Sequence, residues 1–255
     1  FSHLLVIRRS LYEQVGGMRA GFEGSQDHDL ALRAVEKARA VAHLPLVLYH
    51  WRAVPGSTAL SGEAKMYSFD AGIRAVSEAL ARRGVPAEVD RPDWAVQARA
   101  SLLRHGFPDD GPRVAILIAT RNQLAMLERC VESLSKTRYR NFETVILDDH
   151  SDEPETVAWL ASFPGTVLRV PGPREGFNFS ALHNHAARVV DAEYLLFLNN
   201  DTEVLSPAWL SQMVGFARLQ GVGAVGARLL FPNDTVQHAG ILHGFNQGSL
   251  ALAFR

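Results

Sequence analysis

The sequence predicts an α/β protein whose second half is a mostly parallel sheet flanked by helices, and two observations lead to this class. From residue 113 to residue 230, short apolar runs alternate with segments whose apolar residues recur at helical spacing. One run, Leu195–Leu198, is apolar throughout, which is typical of a strand that is buried on both faces of a parallel sheet. Strands that alternate with helices in this way predict right-handed βαβ units.

Local patterns place each element of this second half. Apolar residues repeat at helical spacing across 124–134, and Ser206 followed by Pro207 is typical of a helix N-cap and first turn. The predicted order is strand 114–118, helix 124–134, strand 142–147, helix 153–162, strand 166–170, helix 180–190, strand 194–198, a helix that starts at Pro207, and a closing segment over 222–230.

The first part of the chain offers fewer strands. The predicted elements are strand 4–7, helix 10–15, helix 27–37, strand 43–49 and helix 66–80, with Gly84 as the stop of the last helix. Residues 91–112 contain prolines and paired aspartates, and apolar residues alternate weakly over 94–102, which indicates a possible strand. We therefore predict a first part over 1–90, a linker over 91–112 and a second part over 113–255.

Composition excludes several classes of protein. The net charge of the 255 residues is -1, which argues against an electrostatic nucleic-acid binder. No apolar run approaches the roughly 18 residues of a membrane span. The single cysteine, Cys130, lies among helical apolar residues, so we expect buried packing rather than a disulfide or a nucleophile. The start at Phe1 lacks both an initiator Met and a signal-peptide pattern, and the chain is expected to be cut from a longer one.

Polar clusters follow three of the predicted strands. They are Thr120-Arg121-Asn122, Asp148-Asp149-His150-Ser151 and Asn199-Asn200-Asp201. The carboxyl ends of parallel strands share one edge, where open α/β sheets bind ligands. There Asp149 could accept the ring N–H of a pyrimidine base, and Asp201 could bind a divalent cation that bridges a diphosphate. The alternative for each cluster is an Asx turn with no ligand.

Motifs that the sequence lacks argue against several classes of enzyme. The sequence has no Gly-x-Gly-x-x-Gly after the first strand and no Gly-Lys-Ser/Thr phosphate loop, which argues against dinucleotide-binding dehydrogenases and P-loop ATPases. It has no Gly-x-Ser-x-Gly elbow, which argues against α/β serine hydrolases. A nucleotidyltransferase would need a Gly-rich basic loop after the first strand, and residues 121–123 do not supply one.

The segments 114–122, 145–152, 174–184 and 195–204 together resemble family 2 glycosyltransferases of the GT-A fold, and 235–240 resembles the bacterial polysaccharide and O-antigen branch. Segments 15–18, 26–33 and 48–52 resemble the acceptor-side half of the same family. Since this half comes first, the chain is expected to join the end of one glycosyltransferase module to the nucleotide-binding start of a second.

The resemblance implies a reaction and a set of site residues. The reaction is transfer of a sugar from a nucleotide diphosphate donor to a hydroxyl of a glycan or lipid-linked glycan, with inversion. Asp27 matches the catalytic base, and Asp201 with His50 matches the ligands of a Mg²⁺ or Mn²⁺ ion. The residues expected to bind the nucleotide sugar are Thr120, Asn122, Asp149, Arg174 and Asn200.

Each role has a structural alternative. Asp27 could be only a helix N-terminal charge, and His50 could be a packed core histidine. Asn178 is expected to cap a helix rather than to touch the sugar. We expect a cytoplasmic protein with no nucleic-acid partner, and possible self-association in which copies exchange halves. The rival function is a catalytically silent nucleotide-binding or scaffolding module.

Overall fold

A computed structural model describes residues 4–44, 46–50, 67–98, 100, 102–169, 178–245 and 249–252. The chain divides into two compact units, residues 1–107 and residues 108–255. The boundary between the two units falls within residues 91–112, the segment predicted as a linker, and most of that segment belongs to the first unit.

The first unit is built mainly from helices. Its elements are α1 (Arg9–Gln14), α2 (Gln26–Lys37), α3 (Tyr67–Arg82), β1 (Glu88–Asp90), α4 (Asp93–Gln97) and β2 (Arg104–Gly106), with β1 and β2 paired antiparallel. The amphipathic helices predicted over 27–37 and 66–80 are confirmed as α2 and α3. These two helices pack together, burying Leu30 and Ala75, and Ser25 Oγ donates to the Ser68 carbonyl at 2.7 Å. Gly84 adopts φ +65° just past α3, as its predicted role as a helix stop requires.

Three strand predictions in this unit are wrong for the residues that the structure describes. Residues 4–7 and the described residues of 43–49 form no strand, and side chains such as Val6 and Val47 are 95% and 92% exposed. An apolar run becomes a strand only where a neighbouring strand pairs with it, and the described part of this unit offers none to these segments. The alternating segment 94–102 contains α4 instead, because Pro92 and Asp93 favour a helix start and Ala95 is fully buried.

The second unit contains a four-stranded, all-parallel sheet. Its strands are β3 (Val114–Thr120), β4 (Phe142–Asp148), β5 (Thr166–Arg169) and β6 (Tyr194–Asn199), in the spatial order β5-β4-β3-β6. The helices between and after them are α5 (Leu124–Leu134), α6 (Pro154–Ser162), α7 (Phe179–Val189) and α8 (Trp209–Ala217). Every strand and helix predicted from 114 to 198 is confirmed to within about two residues.

Both faces of the sheet are covered, which explains why its central strand is apolar throughout. Ile116 and Ile118 of β3 pack in one core with residues of α5, α6 and α8. Leu117 of the same strand packs on the other face with Leu182 and Ala186 of α7. All seven residues of β3 are buried, as expected for a strand between two helical layers.

Two boundaries in the last part differ from the prediction. The helix expected from Pro207 begins at Trp209, because Ser206–Ala208 form a turn in which the Trp209 N–H donates to the Ser206 carbonyl at 3.1 Å. In the closing segment 222–230, which includes Gly223 and Gly226, only Leu229–Leu230 forms a strand, β7.

The remaining strands form two antiparallel pairs. β7 pairs with β8 (Val236–His238), and β9 (Ile241–Phe245) pairs with β10 (Ser249–Leu252). Within the described ranges, no helix combines the length and the apolar character that crossing a membrane requires.

Candidate functional site

The three polar clusters lie at one edge of the parallel sheet. Thr120, the last residue of the central strand, is paired in register with Asp148 on one side, while Ala119 is paired with Asn199 on the other. The register thus brings the ends of β3, β4 and β6 to the same level. The loops that follow these strands are therefore neighbours at the carboxyl edge, as the sequence predicts.

Thr120 links these loops directly. Its Oγ1 donates to the Asn122 carbonyl at 2.9 Å and accepts from Asn200 Nδ2 at 3.2 Å. Its carbonyl accepts from the Asp149 N–H at 2.9 Å. Two of the predicted nucleotide-binding residues, Thr120 and Asn200, are therefore in direct contact, and Asp149 is bonded to the same residue.

The Asp149 carboxylate is held by a residue that the sequence does not reveal. Arg121 Nη2 lies 2.6 Å from Asp149 Oδ2, and the Asp149 side chain is only 9% exposed. His150 Nδ1 lies 3.6 Å from Asp149 Oδ1, and His150 itself adopts φ +59°. A nucleotide base that contacts Asp149 must therefore approach a carboxylate that is already paired with the Arg121 guanidinium.

Asn122 joins the loop after β3 to the start of α6. Its side-chain oxygen accepts from the N–H groups of Asp152 and Glu153 at 3.0 and 3.1 Å, and its Nδ2 donates to Asp152 Oδ1 at 2.9 Å. Its own N–H donates to Ser151 Oγ at 2.8 Å. Asn122 and Gln123 have φ of +54° and +59°, a region that Asn tolerates better than most residues. Both the oxygen and the nitrogen of the Asn122 side-chain amide thus hold the loop after β3 against the start of α6.

Asp148 has a supporting role that sequence reasoning missed. Its Oδ1 accepts from the Ser151 N–H at 2.9 Å, and its Oδ2 lies 3.1 Å from Arg169 Nε. Arg169 also donates to the Ser151 carbonyl at 3.1 Å. Adjacent aspartates are indistinguishable in the sequence, and only the contacts assign Asp148 to the loop that carries Asp149.

Asp201 is a solvent-exposed carboxylate at this edge. It is exposed and makes no hydrogen bond or ion pair with the residues that the structure describes. Among the residues that the structure describes, no group of three His, Cys, Asp or Glu side chains could hold a metal ion. One free carboxylate beside amide oxygens fits Mg²⁺ or Mn²⁺ only if phosphate and water complete the shell, which is how Mg²⁺ commonly binds.

The other predicted site residues lie in the first unit or outside the description. Asp27 is partly exposed at the start of α2, and its Oδ1 accepts from the His28 N–H at 2.9 Å. His50 is exposed and follows residues 46–49, which form no strand. The alternative of a packed core histidine is therefore wrong, and the role of His50 as a metal ligand stays a prediction. Arg174 lies outside the described residues.

Asp29 differs from Asp27 because its side chain is buried and paired with two arginines. Its carboxylate is fully buried between Arg19 and Arg33, with Arg33 Nη2 at 2.6 Å. Burial alone raises the pKa of Asp29, but the hydrogen bonds from Arg19 and Arg33 outweigh it and hold the pKa below its usual value. Arg33 also donates to the Gly17 carbonyl at 2.7 Å, so the Asp29–Arg33 pair ties α2 to the turn that follows α1.

Two minor predictions are confirmed. The Asn178 side chain caps α7 by accepting from the Ala181 N–H at 2.9 Å. Cys130 is fully buried within α5, and burial raises the pKa of its thiol.

Comparison with known families identifies the unit that carries this edge. A family model described as "Glycosyl transferase family 2" matches residues 115–246, just over half of the chain. The chain belongs to glycosyltransferase family 2. The α/β fold of the GT-A type predicted from the sequence is confirmed by this match together with the parallel sheet and its flanking helices.

Two relatives are similar over nearly the whole chain. The uncharacterized protein y4gI of Sinorhizobium fredii is 41% identical over 252 residues, which cover 95% of this chain and 27% of that protein. The O-antigen biosynthesis protein RfbC of Myxococcus xanthus is 41% identical over 243 residues, which cover 95% of this chain and 19% of RfbC. The chain therefore spans about a quarter or less of the length of these relatives.

Among solved structures, the mannosyltransferase PcManGT from Pyrobaculum calidifontis, in complex with GDP-Man and Mn²⁺, resembles part of the chain. It is 24% identical with a TM-score of 0.41, over 48% of this chain and 37% of PcManGT.

Proposed function

We propose that this family 2 glycosyltransferase chain serves the transfer of a sugar from a nucleotide diphosphate donor to a hydroxyl of a glycan or lipid-linked glycan, with inversion. The observation that carries the proposal is the joined edge at which Thr120 contacts Asn200 and bonds to Asp149. The similarity to an O-antigen biosynthesis protein supports a polysaccharide acceptor, and the family resemblance supports a cytoplasmic site of action.

We propose that the donor nucleotide binds to the second unit. Thr120, Asn122, Asp149 and Asn200 are proposed to shape its base and ribose site, with Arg174 towards the diphosphate. The left-handed backbone of Asn122 and His150 supports this assignment, because strained non-glycine residues cluster at binding sites. The ion pair with Arg121 fixes the orientation of the Asp149 carboxylate. The ring N–H of a nucleotide base would therefore meet a carboxylate that is already oriented.

The diphosphate is proposed to bind beside Asp201 with a Mg²⁺ or Mn²⁺ ion, to which His50 of the first unit is a further candidate ligand. Such a cation, when bound, stabilises the negative charge of the departing diphosphate. The open Asp201 carboxylate supports this role, whereas Asp148 and Asp149 are already paired with arginines. Because Asn200 is neutral, the protein alone supplies little charge, and metal affinity should be low without nucleotide.

Asp27 is proposed as the catalytic base. The acceptor oxygen bonds to the anomeric carbon as the bond from that carbon to the diphosphate breaks, and the hydroxyl proton passes to the Asp27 carboxylate. One carboxylate oxygen of Asp27 accepts from the His28 N–H, which leaves the other for a proton. Asp29 cannot take this role without breaking its contacts with Arg19 and Arg33.

Since Asp27 and the donor residues belong to different units, we also propose that two copies associate and exchange halves. Strand β6 pairs only with β3 among the described strands, and exposed apolar segments of the first unit, such as 46–49, could add to such an edge in a second copy. Light scattering of the chain over a hundredfold concentration range tests this. A monomer at every concentration contradicts the exchange.

The second candidate is a silent nucleotide-binding module, favoured by the short span of the chain relative to its relatives. Titration calorimetry with UDP, GDP and dTDP, with and without Mn²⁺, tests the shared part of both functions. We expect at least one nucleotide to bind more tightly with Mn²⁺. Asp201→Asn should remove that gain, while Asp191→Asn, an exposed aspartate at the opposite end of β6, should retain it.

Donor hydrolysis and sugar transfer then separate the two functions. We expect Asp27→Asn to abolish turnover and to leave nucleotide binding unchanged. Asp93→Asn is the matched control, because Asp93 is also a first-turn carboxylate of a helix in the first unit. Nucleotide binding without turnover in the unaltered chain supports the silent module. No nucleotide binding under any condition overturns both.

A further inference from the structure

The loop that carries Asp201 is tied to helix α5. Residues 199–204 leave β6 at the carboxyl edge and lead towards α8. At the far end of this loop, the Val204 N–H donates to Ser133 Oγ at 2.9 Å, and Ser133 Oγ in turn donates to the Cys130 carbonyl at 2.7 Å. Ser133 and Val204 are both buried, so this link lies inside the unit.

The near end of the loop meets the same face of α5 one turn earlier. The Cys130 thiol donates to the Asn199 carbonyl at 3.6 Å, and its sulfur lies 4.0 Å from Thr202 Oγ1. Thr202 Oγ1 itself donates to the Asn199 carbonyl at 2.7 Å, which closes the loop on itself. The Thr202 N–H also donates to the Asn199 carbonyl, at 3.4 Å. This carbonyl thus receives one bond from the helix and two from Thr202 of the loop.

Asp201 lies between these two attachments. Its side chain is exposed, while Asn199 and Val204 on either side are bonded to Cys130 and Ser133. The two helix residues are three positions apart, so they lie on one face of α5. The loop backbone is therefore fixed at both ends from a single rigid element.

We propose that Cys130 and Ser133 are positioning residues, which hold the 199–204 loop so that Asp201 meets the cation and diphosphate of the donor. The inference rests on the proposed function of Asp201. Residues that orient a metal ligand without touching the metal typically change metal affinity or activity by 10- to 100-fold when they are removed. Ser133 is the stronger member, because its hydroxyl is both donor and acceptor and an alanine cannot replace either bond.

Ser135, the residue that follows the last residue of α5, provides a matched control. Ser135 Oγ donates to the Glu132 carbonyl at 2.6 Å, which is the same intrahelical bond that Ser133 makes to Cys130. Ser135 is exposed and receives no bond from the 199–204 loop among the described contacts. Comparison of Ser133→Ala with Ser135→Ala therefore separates the loop contact from the general effect of removing a helix serine.

The experiment measures nucleotide binding by calorimetry in the full chain, with and without Mn²⁺, using whichever of UDP, GDP and dTDP binds the unaltered chain most tightly. We expect Ser133→Ala to leave the metal-free affinity unchanged and to weaken the affinity in Mn²⁺ about 10-fold. Ser135→Ala should match the unaltered chain in both conditions. Cys130→Ala should lose a smaller part of the Mn²⁺-dependent gain than Ser133→Ala, because a thiol is a weak donor.

Hydrogen exchange supplies a readout that does not need the metal. We expect the peptide that contains Val204 to exchange about 10-fold faster in Ser133→Ala, while peptides of β3 and β4 remain as protected as in the unaltered chain. Faster exchange at Val204 with an unchanged Mn²⁺ gain overturns the positioning role. Loss of protection throughout the second unit means a general folding defect, and it also overturns the role. If the unaltered chain shows no Mn²⁺-dependent binding, the proposed function fails first and the inference fails with it.

Discussion

Arg121 contacts Asp149 at two points: Nη2 lies 2.6 Å from the carboxylate Oδ2, and Nε donates to the Asp149 main-chain carbonyl at 2.9 Å. The pair joins the loop after β3 to the loop after β4 at the edge where the donor is proposed to bind. The Asp149 side chain is only 9% exposed, so this ion pair is largely shielded from water.

Removal of the Arg121 side chain should therefore destabilise the second unit. We expect Arg121→Gln to lower the free energy of unfolding by about 2 kcal/mol, since a nearly buried carboxylate loses its partner. Urea unfolding of the unaltered chain and the variant measures the difference. The double variant with Asp149→Asn should recover part of the loss, because the buried charge is then removed as well. Arg140→Gln is the control, since its pair with Asp110 is exposed and should be worth less than about 0.5 kcal/mol.

The edge illustrates what the sequence could and could not predict. The apolar runs and helical repeats from 114 to 198 predict the sheet, because the central strand β3 is buried on both faces and its pattern records that burial. The edge strand β6 has a similar apolar run, although its Phe197 is 57% exposed. The same logic brings Thr120 to the level of Asp148, since parallel strands share an end. The pairing of Arg121 with Asp149 was not predictable, because it depends on loop conformations with positive φ at Asn122 and His150.

In the first unit, the sequence predicted the helices α2 and α3 but not the strands. Segments 4–7 and 43–49 have strand-like composition, yet a strand is defined by its neighbours, and composition does not identify a neighbour. Helices α2 and α3 were predictable because a helix satisfies its own backbone and needs only one apolar face. The distinction between Asp27 and Asp29 required contacts, since both lie in the first turn of α2.

Asp29 should make the first unit sensitive to acid. Its pKa is held below the ordinary value of about 3.9, so its contribution to stability is complete above that pH and is lost as the pH falls through the lower value of the folded state. At neutral pH, Asp29→Asn should cost about 3 kcal/mol, because Arg19 and Arg33 lose a fully buried partner.

The measurement is urea unfolding at several pH values between 7 and 2.5, with pulsed hydrogen exchange read on α2 peptides. The difference between the unaltered chain and Asp29→Asn should stay constant above about pH 4 and shrink below it. Glu13→Gln is a matched control, because Glu13 also pairs with an arginine four residues away but in solvent. A difference that grows with acid would contradict the assigned pairing.

Cys130 should react slowly with thiol reagents. Burial raises the pKa of the thiol, and the thiolate is the reactive form, so little of it is present at pH 8. We expect alkylation by iodoacetamide at pH 8 to be at least about 100-fold slower than for an exposed cysteine. Mass spectrometry over time measures the rate, and Ser135→Cys in a Cys130→Ala background provides the exposed reference on the same helix. Equal rates would show that the 199–204 loop does not cover the thiol.

Asn122 offers a test of how the edge is assembled. Asn122→Asp keeps an oxygen that can accept from the Asp152 and Glu153 N–H groups, but it replaces the Nδ2 donor with a carboxylate oxygen facing Asp152 Oδ1. Two like charges then meet at a partly exposed site, and we expect a loss of about 0.5–1 kcal/mol in the free energy of unfolding at pH 7. Adding Asp152→Asn should restore the stability, because an amide can donate to the new carboxylate. Urea unfolding of the four proteins gives the coupling energy of the two positions, and strictly additive losses would mean that residues 122 and 152 do not interact in solution.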